Sequence, residues 1–332
     1  MLDRETAAAP DAPLPTGVRR AAALSVGTAL PPDVTTTAEL VAGLDGADEE
    51  WIVSRTGIRA RRYAAPGVRV TDLAVQAGAE ALAKAGVDAA DVDLVIVGTL
   101  APDELTPNAA PLVAHQLGAD RAGAFDVGAA CNAFLSGLAT GATFVETGRA
   151  EHVLVIGAEV LSRFIDRANR KTAAIFGDGA GAVVLGPASE SAGLGPVVLR
   201  QDGSLFHTIL ATHDGRVIEM DGQETFRHAV NRMVEVTGEA LDAAGIALDD
   251  VDLFVYHQAN QRITRSVGQR LGLDPEKVVD CIAETGNTSA ATLPLALAAA
   301  EADGRLRDGS RVLLAAFGAG FAWGGAVLEW GA

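Results

Sequence analysis

The chain has 332 residues, 49% of them hydrophobic and 21% charged, which is enough apolar matter for a full globular core. Its net charge of −17 argues against binding nucleic acid or anionic membrane nonspecifically, since both need a positive surface. Two cysteines make no disulfide framework and point to a reducing, cytoplasmic setting.

Residues 1–16 are rich in alanine and proline. They have no basic segment followed by an apolar one, so they read as a flexible tail rather than a signal peptide. No apolar run reaches membrane-spanning length. Next, Glu80 to Gly86 reads as a helix closed by a C-cap glycine, followed by an acidic turn and a strand over Leu94–Val97. The segment Asp126-Val-Gly-Ala-Ala-Cys131-Asn-Ala-Phe-Leu leads small residues into an apolar stretch with helical spacing. A helix beginning at Cys131 would aim unpaired N–H groups at the sulfur and lower its pKa. The alternative is a buried, inert thiol.

His152–Gly157 reads as a further strand. Gly177-Asp-Gly-Ala-Gly181 misses the spacing of a dinucleotide loop, and Ala182–Leu185 after it reads as a strand. The pattern then repeats: Glu239-Ala-Leu-Asp-Ala-Ala-Gly245 through Val251-Asp-Leu-Phe-Val-Tyr256 matches Glu80–Val97 at one offset (239 − 80 = 159). Arg311–Phe317 and Gly324–Leu328 more loosely match His152–Gly157 and Ile175–Leu185. The chain therefore reads as two duplicated α/β halves, 17–190 and 191–332, with central helices between sheets whose strands are apolar on both faces.

Three groups remain. His257 ends the second-half strand, Asn287 opens Asn287-Thr-Ser-Ala-Ala291, and Gly318-Ala319-Gly320 forms a turn. Taken singly, His257 reads as an ordinary strand-end histidine and Asn287 as a helix N-terminus. Together, a thiolate, an imidazole and a neutral amide donor suit acyl transfer: the thiol carries an acyl group while the other two stabilise an enolate formed by loss of carbon dioxide. Backbone N–H groups of Cys131 and Ala319 are the candidate oxyanion hole. Neither C-x-x-C nor H-E-x-x-H occurs, so no metal or other cofactor is expected.

From about Ala22 to Trp330 the sequence resembles the β-ketoacyl-acyl carrier protein synthase III family of thiolase-like fold. The resemblance rests on Trp51-Ile-Val-Ser-Arg55-Thr-Gly-Ile-Arg59, Gly128-Ala-Ala-Cys131, Phe176-Gly-Asp-Gly-Ala-Gly-Ala182, His257-Gln-Ala-Asn260, Gly286-Asn-Thr-Ser-Ala-Ala291 and Phe317-Gly-Ala-Gly-Phe321-Ala-Trp-Gly324. It implies a five-layer αβαβα sandwich, a homodimer, and condensation of acyl-CoA with malonyl-acyl carrier protein in fatty-acid or polyketide initiation. Cys131 would accept the primer acyl group, and His257 and Asn287 would decarboxylate the malonyl thioester.

By the same resemblance Trp51, Arg55, Arg170, Gln223 and Asn260 would bind CoA, with Gln223 standing where asparagine is usual. Phe317 would flank the acyl pocket, and Thr106, reaching in from a partner subunit, would leave room for medium or longer chains. Between His257 and Arg270 there is no acidic residue; Arg262, Arg265 and Arg270, with Arg227, would receive an acidic carrier protein. A rival reading keeps the acyl-enzyme but passes the group to an alcohol, amine or thiol without condensation. A cysteine hydrolase and a noncatalytic partner subunit fit less well, the latter because the cysteine is present.

Overall fold

The computed structural model describes residues 19–188 and 193–331. The tail at 1–16 lies outside these residues, as does the 190/191 division between halves. The first sheet contains β1 (Ala21–Ala29), β2 (Leu94–Gly98), β3 (Gly123–Val127), β4 (Val153–Glu159) and β5 (Gly179–Pro187), in the order β1-β5-β4-β2-β3. The second contains β6 (Gly193–Leu194), β7 (Val198–Gln201), β8 (Leu253–Tyr256), β9 (Arg311–Gly318) and β10 (Ala322–Glu329). Its order is β8-β9-β10-β6, with β7 also on β10.

One register runs through both sheets. Leu94 of β2 lies opposite Val153 of β4 in parallel pairing, and Leu253 of β8 lies opposite Val312 of β9 in the same way. Both members of the second pair are displaced by the sequence offset (253 − 94 = 312 − 153 = 159). The helices leading into β2 and β8 end on Gly86 and Gly245, which adopt left-handed φ values of 67° and 66°.

The longer helices among the described residues are α1 (Glu49–Thr56), α2 (Val70–Ala85), α3 (Ala109–Leu117), α4 (Ala133–Glu146), α5 (Gly222–Ala244), α6 (Gln261–Leu271) and α7 (Thr292–Ala302). Strand alternation sorts them into layers. Leu94, Ile96, Val153 and Val155 join Leu253, Val255, Val312 and Leu314 around α4 and α7, forming one core between the sheets. Val95, Val97, Leu154 and Ile156 face outward onto α2 and α3. Phe254, Tyr256, Leu313 and Ala315 do the same toward α5 and α6. The result is the expected αβαβα sandwich. Small residues let its layers approach closely: a Cβ added at Gly157 in β4 would lie 2.2 Å from the Ala290 carbonyl oxygen. No helix among the described residues is long and apolar enough to cross a membrane.

Candidate active site

Cys131 follows β3 in a short 3₁₀ turn over Ala130–Asn132. Ala130 takes an unusual φ of 48° there, and α4 begins only at Ala133. The expectation of a helix starting at Cys131 with a lowered thiol pKa is corrected on both points. The thiol opens on a cavity but is enclosed by protein, and burial pushes it up to about 12. The Ser289 hydroxyl and the backbone N–H of Cys131 pull it down, whereas the Glu159 charge pushes it further up. Behind the turn runs β9; a Cβ at Gly318 would lie 2.8 Å from the Cys131 nitrogen.

His257 sits one residue past β8, where its N–H donates to the Ala315 carbonyl at 2.8 Å and prolongs the pairing with β9. The ring is buried, edge-on to Phe317 at 5.3 Å, and Phe317 in turn stacks on Phe321. Its Nδ1 lies 2.6 Å from Thr292 Oγ1, and its Nε2 has no hydrogen-bond partner. Burial lowers its pKa to about 3, so the imidazole is neutral at physiological pH.

Asn287 is fixed by the other half of the chain. Its N–H donates to the Ile175 carbonyl at 2.9 Å, and its carbonyl accepts from Gly177 N–H at 3.0 Å. The Phe176-Gly-Asp-Gly motif, which the spacing test had separated from nucleotide binding, thus anchors Asn287. The Oδ1 of Asn287 accepts from Ser289 N–H at 2.8 Å, committing the amide's acceptor and leaving its NH₂ group as the donor end.

Cys131, His257, Asn287, Phe317 and Ala319 line one cavity of about 1060 Å³. Of the residues expected to bind CoA, Trp51, Arg55, Arg170, Gln223 and Asn260 all line it too. Trp51 is flanked by two guanidinium groups, Arg55 at 4.6 Å and Arg170 at 4.9 Å from the ring centre. Asn260 is partly committed to structure: its Oδ1 caps α6 at Arg262 N–H, and its Nδ2 donates to the Arg55 carbonyl at 3.0 Å. Thr106 is exposed beside Leu105 and does not line this chain's cavity.

Comparison with known proteins identifies the family and the fold. Residues 125–203 match the family model for 3-oxoacyl-[acyl-carrier-protein (ACP)] synthase III, and residues 241–330 match its C-terminal part. The chain is 44% identical over 325 residues to a β-ketoacyl-[acyl-carrier-protein] synthase III of Bradyrhizobium diazoefficiens, covering 94% of this chain and 99% of that one. The chain belongs to the 3-oxoacyl-[acyl-carrier-protein] synthase III family. Two solved structures share the whole fold. The synthase III of Aquifex aeolicus has a TM-score of 0.91 at 39% identity, covering 93% of this chain and all (100%) of that one. The priming β-ketosynthase of a polyketide pathway has a TM-score of 0.91 at 40% identity, covering 97% and 99%.

Within this synthase III chain the basic residues divide. Arg262 lines the cavity mouth and lies over the Phe226 ring at 5.6 Å. Arg265 and Arg270 are exposed along α6, with Arg270 donating to Asn231 Oδ1 at 2.7 Å. Arg227 is exposed on α5 and lies 3.5 Å from the Glu224 carboxylate, so part of its charge is locally offset. Sequence reasoning missed Ser289 and Thr292, which hold Asn287 and His257, and the buried Glu159, whose carboxylate accepts from Thr99 and Leu100. The described residues contain no group of three His, Cys, Asp or Glu able to hold a metal.

Proposed function

We propose that this acyltransferase catalyses the decarboxylative condensation of an acyl-CoA primer with malonyl-acyl carrier protein through an acyl thioester on Cys131. The observation that carries the reading is the convergence of thiol, neutral imidazole and amide on one cavity that also bears the Trp51, Arg55 and Arg170 cluster. CoA's adenine and phosphates suit an indole flanked by guanidinium groups. The primer carbonyl would be attacked by sulfur while N–H groups of Cys131 and Ala319 receive the oxyanion. CoA then leaves, and the malonyl thioester enters the same space.

Decarboxylation needs two donors at the thioester oxygen, because charge accumulates there as carbon dioxide departs. Asn287 supplies one from Nδ2. His257 supplies the other if its neutral ring carries the proton on Nε2. A Thr292 hydroxyl turned to Nδ1, 2.6 Å away, rather than to the Ser289 carbonyl at 3.0 Å, sets that tautomer. Neither donor is ionised, which suits a site enclosed enough to hold the imidazole neutral. Simple acyl transfer to an alcohol or amine would leave Asn287 without a task, and this disfavours the rival reading.

No metal or other cofactor enters this scheme. An arginine-bearing α6 beside the mouth suits an acidic carrier protein. A homodimer is supported by the outer edge of β3, which has no strand partner among the described residues, and by Leu105, 80% exposed in the adjacent loop. Two free cysteines suit a cytoplasmic enzyme. Whole-protein mass spectrometry with a panel of acyl-CoAs tests the reading: an acyl adduct on Cys131 that malonyl-acyl carrier protein then discharges with release of carbon dioxide is the expected result. A Cys131→Ala protein that still gains the acyl mass would defeat it.

A further inference from the structure

Gln258 follows His257 in the His257-Gln-Ala-Asn260 motif, and the condensation chemistry above gives it no part. It is 1% exposed. Beside β8, which ends at Tyr256, runs the segment 278–281 in the parallel sense: Phe254 is bridged to Val278, and Val279 N–H donates to the Phe254 carbonyl at 3.0 Å. In a parallel ladder the next rung would join the Val279 carbonyl and the Cys281 N–H to the backbone of Tyr256. Both groups go instead to the Gln258 carboxamide. Its Nε2 donates to the Val279 carbonyl at 3.1 Å, and its Oε1 accepts from Cys281 N–H at 3.2 Å. Nε2 also donates to the Tyr256 carbonyl at 2.8 Å.

A side-chain amide thus stands in for a backbone peptide group, presenting donor and acceptor as a strand would. It wedges β8 and the 279–281 run apart where the chain leaves the sheet for the site. On one side of the wedge the preceding residue is His257, whose N–H stays on β9 through the Ala315 carbonyl. On the other side the Cys281 carbonyl accepts from Glu284 N–H at 3.2 Å and from Thr285 Oγ1 at 3.1 Å, so the short helical turn Ile282–Thr285 is built on that residue. Gly286, with a φ of 63°, then turns the chain into Asn287. The bonds of Asn287 to Ile175 and Gly177 tie it to the first half of the chain; the Gln258 amide relates it to His257.

We propose that Gln258 is a positioning residue for decarboxylation, its carboxamide setting the separation of the His257 and Asn287 donors. The role rests on those two groups receiving the enolate oxygen. Two donors stabilise charge on one oxygen only when both reach it together, so a small change in their separation is felt in the transition state. Attack of Cys131 on the primer uses backbone N–H groups of other elements and does not depend on that separation.

Gln258→Met keeps the reach of the side chain and removes all three hydrogen bonds. Gln258→Asn is milder: it keeps the amide and withdraws it by one methylene. In each, kcat for carbon dioxide release from malonyl-acyl carrier protein should fall on the order of 10-fold, short of the 10²–10³-fold of a donor removed outright. KM for that substrate and the rate of Cys131 acylation should stay within about twofold of wild type, as for an interaction used only in the transition state of decarboxylation. Hydrogen exchange reads the wedge without substrate: the peptide spanning 279–287 should exchange faster once Cys281 N–H loses its acceptor. Wild-type carbon dioxide release in either folded variant overturns the proposal. So does a parallel loss of acylation and decarboxylation, which would leave Gln258 a support of the fold alone, and so does unchanged exchange. A wild-type enzyme that acylates Cys131 yet releases no carbon dioxide would instead overturn the condensation reading, while the exchange difference would stand.

Discussion

Thr292 Oγ1 stands 2.6 Å from His257 Nδ1 and 3.0 Å from the Ser289 carbonyl oxygen, so one hydroxyl links the first turn of α7 to the imidazole beyond β8. It can hand its single proton to only one of these partners. When it donates to Nδ1, the opposite ring nitrogen must carry the imidazole proton and face the cavity as a donor.

Replacing that hydroxyl tests the tautomer. Thr292→Val keeps the shape but removes the proton, and a free imidazole divides its proton between both nitrogens. Decarboxylation of the malonyl thioester should fall about 10-fold, the scale of one lost hydrogen bond of roughly 1–1.5 kcal/mol. Acyl transfer to Cys131, measured by stopped-time mass spectrometry, should stay within about twofold on the same argument, because no proton on Nε2 is needed there.

Asn287→Asp separates geometry from charge. An aspartate oxygen can still accept from Ser289 N–H, so the local backbone should hold. The second oxygen then faces a developing enolate with negative charge rather than an N–H donor. Carbon dioxide release should drop on the order of 10²–10³-fold, as for loss of an oxyanion donor. Acyl-enzyme formation should persist, and parallel loss of both steps would mean that Asn287 only supports the fold.

Gly318→Ala addresses the close approach of β9 to the nucleophile turn. The new methyl would meet the Cys131 nitrogen at 2.8 Å, and that atom is backbone, not the end of a flexible side chain. Relief requires moving the turn that aims the sulfur. Stability should fall by about 1–3 kcal/mol, the usual cost of overpacking, and acylation should fall further than the unfolding midpoint alone explains.

Much of this centre was readable in advance, for definite reasons. Cys131, His257 and Asn287 stand in motifs of small or uncommon residues, and the repeat at offset 159 survives because Gly86 and Gly245 must cap helices in the left-handed region. The strands alternate between two cores, so their apolar runs announced sheets covered on both faces. Ser289, Thr292 and Glu159 carry no such mark: serine and threonine near a helix start read as ordinary caps, and nothing local tells that Glu159 will be sealed in. The sign of the Cys131 pKa failed for the same cause, since the approach of Gly318 and of the Ser289 turn to the nucleophile turn arises only from tertiary packing.

Burial of His257 and Glu159 gives stability a pH dependence with two flanks. Folded His257 titrates at about 3, below its ordinary 6.5. Between those values the unfolded chain binds more protons, so stability falls as pH drops through this window. Folded Glu159 titrates at about 8, above its ordinary 4.5, so the folded chain binds more protons there and stability falls as pH rises from 4.5 toward 8. Thermal unfolding midpoints should accordingly decline on both sides of mildly acidic pH. Glu159→Gln should flatten the alkaline flank selectively, and an unchanged slope in that variant would remove Glu159 as its source.

The exposed arginines of α6 offer the last test. On a chain of net charge −17, Arg262 at the cavity mouth and Arg265 one turn along form a local positive face that an acidic partner would meet first. Long-range attraction of this kind acts on encounter and is screened over about 8–10 Å at physiological salt. Arg262→Glu combined with Arg265→Glu should therefore raise KM for malonyl-acyl carrier protein about 10-fold or more at low salt. The gap between variant and wild type should narrow as salt is added. The rate of Cys131 acylation by acyl-CoA should change less, because Trp51, Arg55 and Arg170 remain. Equal losses for both substrates, or a gap indifferent to salt, would assign these arginines to the CoA site rather than to the carrier.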